Sequence, residues 1–162
     1  MANDDSDDVD ALIDAWSERL PGVDVTPLEV MSRLRRVSIR LARIRAGAFA
    51  TVGLASWEFD VLAALRRADE PHELSPAQLI QRTMIGSAAM TNRITNLVER
   101  GYVRRQANPR DGRGVLVRLT DEGRVRADAA MTELIRREAR ALSVLSPDDV
   151  DVLARMLRPL MG

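Results

Sequence analysis

Residues 87–120 read SAAMTNRITNLVERGYVRRQANPRDGRGVLVRLT. The first half has helical spacing: Met90, Ile94, Leu97 and Val98 recur at one face, and Gly101 supplies a C-terminal stop. The second half changes period. Val103–Gln106 and Val115–Thr120 alternate apolar with polar residues and are rich in β-branched side chains, which predicts two strands. Between them Asn108-Pro109 and Asp111-Gly112 are turn pairs, so the spacing predicts a hairpin with a long tip over 107–114. That tip carries Arg110 and Arg113, more charge than a turn requires.

A short helix precedes this stretch. Ser75-Pro76-Ala77-Gln78 has a capping signature and starts a helix to about Thr83. MIGS, residues 84–87, then predicts a tight turn. Short helix, glycine-containing turn, second helix and basic hairpin together make a winged helix-turn-helix, in which the second helix enters the DNA major groove. Its face opposite the apolar one carries Ala88, Asn92, Thr95 and Asn96, with Thr91 at the edge, and Ser87 at the helix start joins them as a candidate DNA contact. Small residues permit close approach, and amides and hydroxyls bond base edges or phosphates. An ordinary solvent-facing helix would carry more charge, and only Glu99 stands there. The hairpin is then a wing. Arg110 and Arg113 suit the negative minor groove or the flanking backbone, and Asp111 can fix the direction of either.

The chain as a whole fits this reading. Its 162 residues allow one domain with a real core. There is no cysteine and only one histidine, His72, which removes disulfides, thiolate chemistry and histidine-rich metal sites. No metal or other cofactor is expected. No run reaches the roughly 18 apolar residues of a membrane span, and the acidic start is unlike a signal peptide, so a cytoplasmic protein is expected. All 24 basic residues are arginine, which points to a GC-rich bacterial genome. Net charge is zero, but residues 1–24 hold eight acids and one arginine. From Ile85 to Arg118 seven arginines stand against two acids. A local basic patch matters more to a polyanion than the average does.

Elsewhere the pattern is helical. An acidic tail, 1–7, precedes a predicted helix from Asp8 to Leu20 with Val9, Leu12, Ile13, Trp16 and Leu20 on one face. Thr26-Pro27-Leu28-Glu29 resembles a capping box opening a long helix to about Ala50. Ser56 to about Ala68 is apolar nearly all round and should be buried, with Asp60 inside it. A long helix follows from Asp121 to about Val144, and Ser146 caps a last one through Leu160. The terminal helices, 26–50 and 121–162, leave apolar faces without an obvious intrachain partner, which predicts a homodimer through them. A palindromic operator is the expected DNA partner.

The stretch SAAMTNRITNLVERGYVRR followed by NPRDGRGVLVRLTDEG resembles the multiple-antibiotic-resistance regulator (MarR) family, and the flanking helices match from Thr26 onward. The resemblance implies a dimeric winged-helix regulator, usually a repressor released by a small ligand. The extra N-terminal helix resembles the family's urate-responsive branch. That branch implies a ligand site of a tryptophan on this helix, an aspartate in the buried helix, an arginine in the recognition helix and an arginine entering the wing. Here these are Trp16, Asp60, Arg93 and Arg105. Trp16 also fits a helix docked on the core, and Arg93 a structural role. Asp60 is the most informative, because a carboxylate in a buried run needs a partner.

Three alternatives stay open. A regulator of this class could answer to a different phenolic or aromatic ligand. A winged helix used only for protein contacts would not need the polar recognition face. An enzyme would need a nucleophile–base pair or a phosphate-cradling loop, and none is visible.

Overall fold

The computed structural model describes residues 6–83, 86–109 and 111–161. The chain divides into two compact units, Met1–Arg43 and Ile44–Gly162. The predicted turn at Met84 and Ile85 lies outside the described residues.

In the first unit, α1 (Asp8–Arg19) is capped by Asp7, whose carboxylate accepts from the Val9 and Asp10 N–H groups at 2.7 and 3.3 Å. Asp10 returns the bond to the Asp7 N–H at 2.6 Å, completing a capping box. Asp7, at the end of the predicted acidic tail, is therefore part of the helix start. The acids of this end find their counterions on α2 (Pro27–Ala50). Arg33 gathers Asp7, Asp10 and Glu29 at 2.9, 2.6 and 2.5 Å, and Arg36 pairs with Asp8. The Asp7 N–H, and after it Arg33, hold the Asp10 carboxyl below its usual range. The capping box predicted at Thr26 does not form. The Thr26 N–H goes to Asp24 at 2.9 Å, because the Glu29 carboxylate is drawn to Arg33.

The second unit holds the core. α3 (Ser56–Arg66) is buried at Glu58, Phe59 and from Val61 to Leu65, as its composition predicts. Phe59 stacks on Phe49 of α2 with centroids 4.1 Å apart. α4 (Pro76–Thr83) is capped as predicted, with Ser75 and Gln78 exchanging bonds at 2.8 and 3.2 Å. It packs against α3 and α5 (Ser87–Glu99), and α6 (Asp121–Leu142) packs against α3. Gly123 lets α6 start close to the strand entry: a Cβ there would lie 2.0 Å from the Tyr102 carbonyl oxygen. α7 (Pro147–Leu157) and a closing 3-10 turn, Arg158–Met161, have no buried residue.

The sheet is antiparallel, β1 (Glu73–Leu74), β3 (Asp111–Leu119) and β2 (Val103–Asn108) in that spatial order. β1 is absent from the sequence reading because two residues carry no period. The hairpin strands run further than expected. Ala107 pairs with Val115 and Asn108 with Asp111, across a register shift, so ladder pairing enters the predicted tip.

Candidate nucleic-acid interface

α5 places its residues in two classes. Met90, Ile94 and Leu97 are buried, while Ser87, Ala88, Thr91, Asn92 and Asn96 are exposed and Thr95 is half-buried. Val98, expected in the core, is exposed. At about 100° per residue it stands about 80° from Met90, at the edge of the apolar stripe. Apart from Glu99 at its far end, the exposed face is thus uncharged, short-chained and able to hydrogen bond. Its C-terminus is fixed by Gly101 at φ +73°, with Tyr102 N–H to Leu97 at 3.0 Å and Gly101 N–H to Val98 at 2.9 Å. This paired arrangement turns the chain directly into β2.

Arg105 points from β2 toward the recognition helix, donating to the Thr95 hydroxyl at 2.8 Å. Thr95 in turn donates to the Thr91 carbonyl at 3.1 Å. Its hydroxyl is therefore engaged as a strut between wing base and helix. Arg93 lies over the Trp57 ring, 5.3 Å from its centroid, a cation–π contact. Trp57 is on α3, three residues before Asp60, and residues at that spacing share a helix face.

The expectation of a buried Asp60 is corrected. Its neighbours Phe59 and Val61 are buried, but the Asp60 side chain is 43 % exposed and reaches Arg45 of α2 at 3.5 Å. α3 is buried all round only at its apolar positions, and this carboxylate leans to the rim where a guanidinium meets it. No contact joins Asp60 to Arg93 or Arg105 among the described residues. Trp16 lies in the first unit, 47 % exposed, and lines an apolar groove of about 480 Å³ with Leu20, Val23 and Pro27. Arg110 lies outside the described residues, as do the side chains of Asp111 and Arg113.

Below the recognition helix is an ion pair the sequence reading missed. Glu58, 4 % exposed, takes Arg100 Nη1 at 2.5 and 2.6 Å and the Ala55 N–H at 2.8 Å. Arg100 also donates to the Gly53 carbonyl at 2.8 Å and the Tyr102 hydroxyl at 3.1 Å. The end of α5 is thereby bolted to the start of α3.

This arrangement has relatives. Residues 52–114 match the sequence profile of the MarR family. The HTH-type transcriptional regulator PecS of Dickeya dadantii (strain 3937) is 33 % identical over 150 residues, 93 % of this chain and 90 % of PecS. The chain belongs to the MarR family. A mutant MarR from E. coli superposes with a TM-score of 0.71 at 25 % identity, covering 82 % of this chain and 96 % of that one. BpsR of Bordetella bronchiseptica superposes at 0.68 and 26 %, covering 82 % and 93 %; its structure concerns regulation of DNA binding by 6-hydroxynicotinic acid. Like its MarR-family relatives, this chain is a DNA-binding transcriptional regulator and not an enzyme. Among the described residues no helix is long and apolar enough to cross a membrane.

Within the MarR fold, two residues that position the reading head, Trp57 and Arg100, escaped the sequence reading. Each acts through a partner some 40 positions away, Arg93 or Glu58. The one available local signal was Glu58, three residues after Ala55, the spacing of a carboxylate that caps its own helix.

Proposed function

We propose that the chain is a dimeric repressor that binds a palindromic operator and is released by a small anionic aromatic ligand, with urate the leading candidate. The observation that carries this reading is the state of two arginines. Arg93 is engaged by a ring and Arg105 by a hydroxyl, both uncharged partners, and each is attached to α5 or to the wing base. A flat anion offers them charge-assisted, planar pairing and stacking in place of neutral contacts. Re-pairing Arg105 releases Thr95, and re-pairing Arg93 frees Trp57, so both DNA-reading elements respond together. Trp57 and Asp60 supply the aromatic and carboxylate rim, and the urate-responsive branch implies a role for Trp16 as well.

In the DNA complex Ser87, Ala88, Thr91, Asn92 and Asn96 face the major groove, and Arg110, Asp111 and Arg113 act at the wing tip. Thr95 serves as the link to Arg105. Two copies place their recognition helices about 34 Å apart, matching successive major grooves. The apolar side chains left exposed on α6, α7 and the closing 3-10 turn, Ile135, Leu142, Met156 and Leu160, supply a surface for the second copy. The protein is expected to work in the cytoplasm.

The test is a gel shift of the protein–operator complex titrated with urate against matched salt. Wild type should release DNA by a factor within about 5 to 150. Arg105→Ala and Asp60→Ala should bind DNA and lose the response, and Trp16→Ala should weaken it. No release at millimolar urate sinks the urate assignment. BpsR's ligand gives a second reading specific support, so 6-hydroxynicotinate belongs in the same titration. Arg113→Ala should weaken all binding through lost phosphate contact, and Asn92→Ala should also relax base preference.

A further inference from the structure

A second basic site lies away from the helix–wing junction. A cavity of about 220 Å³ opens where β1, the end of β3 and the start of α6 meet, and Arg66, Arg118 and Arg124 line it together with His72. At roughly 30 Å³ per water it holds about seven water volumes, room for a compact ion with its remaining hydration. Two acids stand on its rim, and neither is buried against the arginines. Glu70 and Asp121 are 83 and 99 % exposed, and Asp121 meets Arg124 only at 3.7 Å. Glu70 turns to His72 Nε2 at 2.9 Å, and Arg66 is shared with Asp128 at 2.9 Å.

Arg118 is the decisive residue. No hydrogen bond or ion pair engages its side chain among the described residues, although it is half-buried. Its cross-strand neighbours are Glu73 on one side and Arg104 on the other. Directly opposed residues of an antiparallel pair share a face, and like charges there repel. Glu73 keeps its charge but turns its carboxylate to the Gln106 amide, and no ion pair joins it to Arg118 among the described residues. The hairpin thus opposes two arginines, neither in a direct ion pair among the described residues, and Arg118 opens into a cavity with two more.

We propose that this cavity binds a compact free oxyanion, phosphate or a small carboxylate, held by Arg118 and Arg124 with Arg66 at the edge. The ligand is small because the space is small, and it is an oxyanion because guanidinium groups pair with two oxygens at once. The site is independent of the release mechanism above. Arg118 is next to last in the strand that leads back from the wing, and Thr120 caps α6, which begins at Asp121, so occupancy fastens the wing's root to the helix.

Inorganic phosphate and benzoate are the probes, titrated into the whole protein at constant ionic strength with chloride as balance, read by amide chemical shifts. Saturable shifts at Leu119, Thr120 and Asp121 are expected, with Arg118→Gln and Arg124→Gln each weakening binding about tenfold. Arg35→Gln, an exposed arginine of α2, should change nothing. If Arg118→Gln fails to fold, Arg124→Gln alone decides. Phosphate at ten times its Kd should also shift the unfolding equilibrium about 11-fold. Shifts confined to α5 and Arg105, or equal binding by the variants, overturn the proposal. Loss of phosphate binding on adding operator DNA assigns the site to the DNA backbone and overturns it too.

Discussion

Arg100→Ala should destabilise the protein well beyond the loss of a surface charge. Truncation leaves the Glu58 carboxylate, 5 % exposed at its side chain, with the Ala55 N–H as its remaining donor. Breaking a buried pair by removing one partner costs about 3–5 kcal/mol. The Arg100 side chain is 39 % exposed, so water can follow where the guanidinium stood. That lowers the expected cost to the bottom of this range or just below it, about 2–3 kcal/mol. For a chain of this size each kcal/mol moves Tm by about 2–4 °C, so a fall of roughly 4–12 °C follows. Glu58→Gln should cost less, about 1–2 kcal/mol, because the freed guanidinium can turn to solvent. The double variant should be more stable than the sum of the two losses implies. Urea unfolding followed by circular dichroism, at one fixed protein concentration, measures all four species. Operator affinity should fall too, since Arg100 holds the end of α5, and an unchanged salt slope is expected for a residue that acts only by positioning that helix. If both single variants lie within about 0.5 kcal/mol of wild type, the pair is a screened surface contact and the reasoning is wrong.

Gly123→Ala should cost about 3 kcal/mol or more, because its methyl would meet the Tyr102 carbonyl backbone rather than a movable side chain; normal expression and an unchanged Tm would contradict it. Arg136 and then Arg137 hold the Glu133 carboxyl at about 2, below its ordinary 4.5. Its folded pKa is depressed, so its stabilisation is complete above pH 4.5 and lost as pH falls toward 2. Glu133→Gln should flatten the urea midpoint over that acid window, and superposed profiles would refute the assignment. Equilibrium sedimentation at micromolar concentration should give twice 18.0 kDa, and a mass of 18.0 kDa would refute the dimer.

The sequence by itself determined the order and type of the helices and the basic hairpin. Those features rest on local physics. Periodicity buries Met90, Ile94 and Leu97 on one face, Ser75 and Ser146 cap the helices they precede, and Gly101 alone can take the left-handed turn cheaply. Tertiary structure decided what required two distant segments to meet. β1 exists only because β3 offers it a partner, and Arg33 of α2 gathers Asp7 and Asp10 from the start of α1. Asp60 turns outward to Arg45 instead of being buried. Trp57 under Arg93, Thr95 against Arg105 and Glu58 under Arg100 are likewise pairings across separate elements. A side chain's type states which partners it can accept, but which partner arrives is set by how the chain folds back on itself, and no local spacing encodes that.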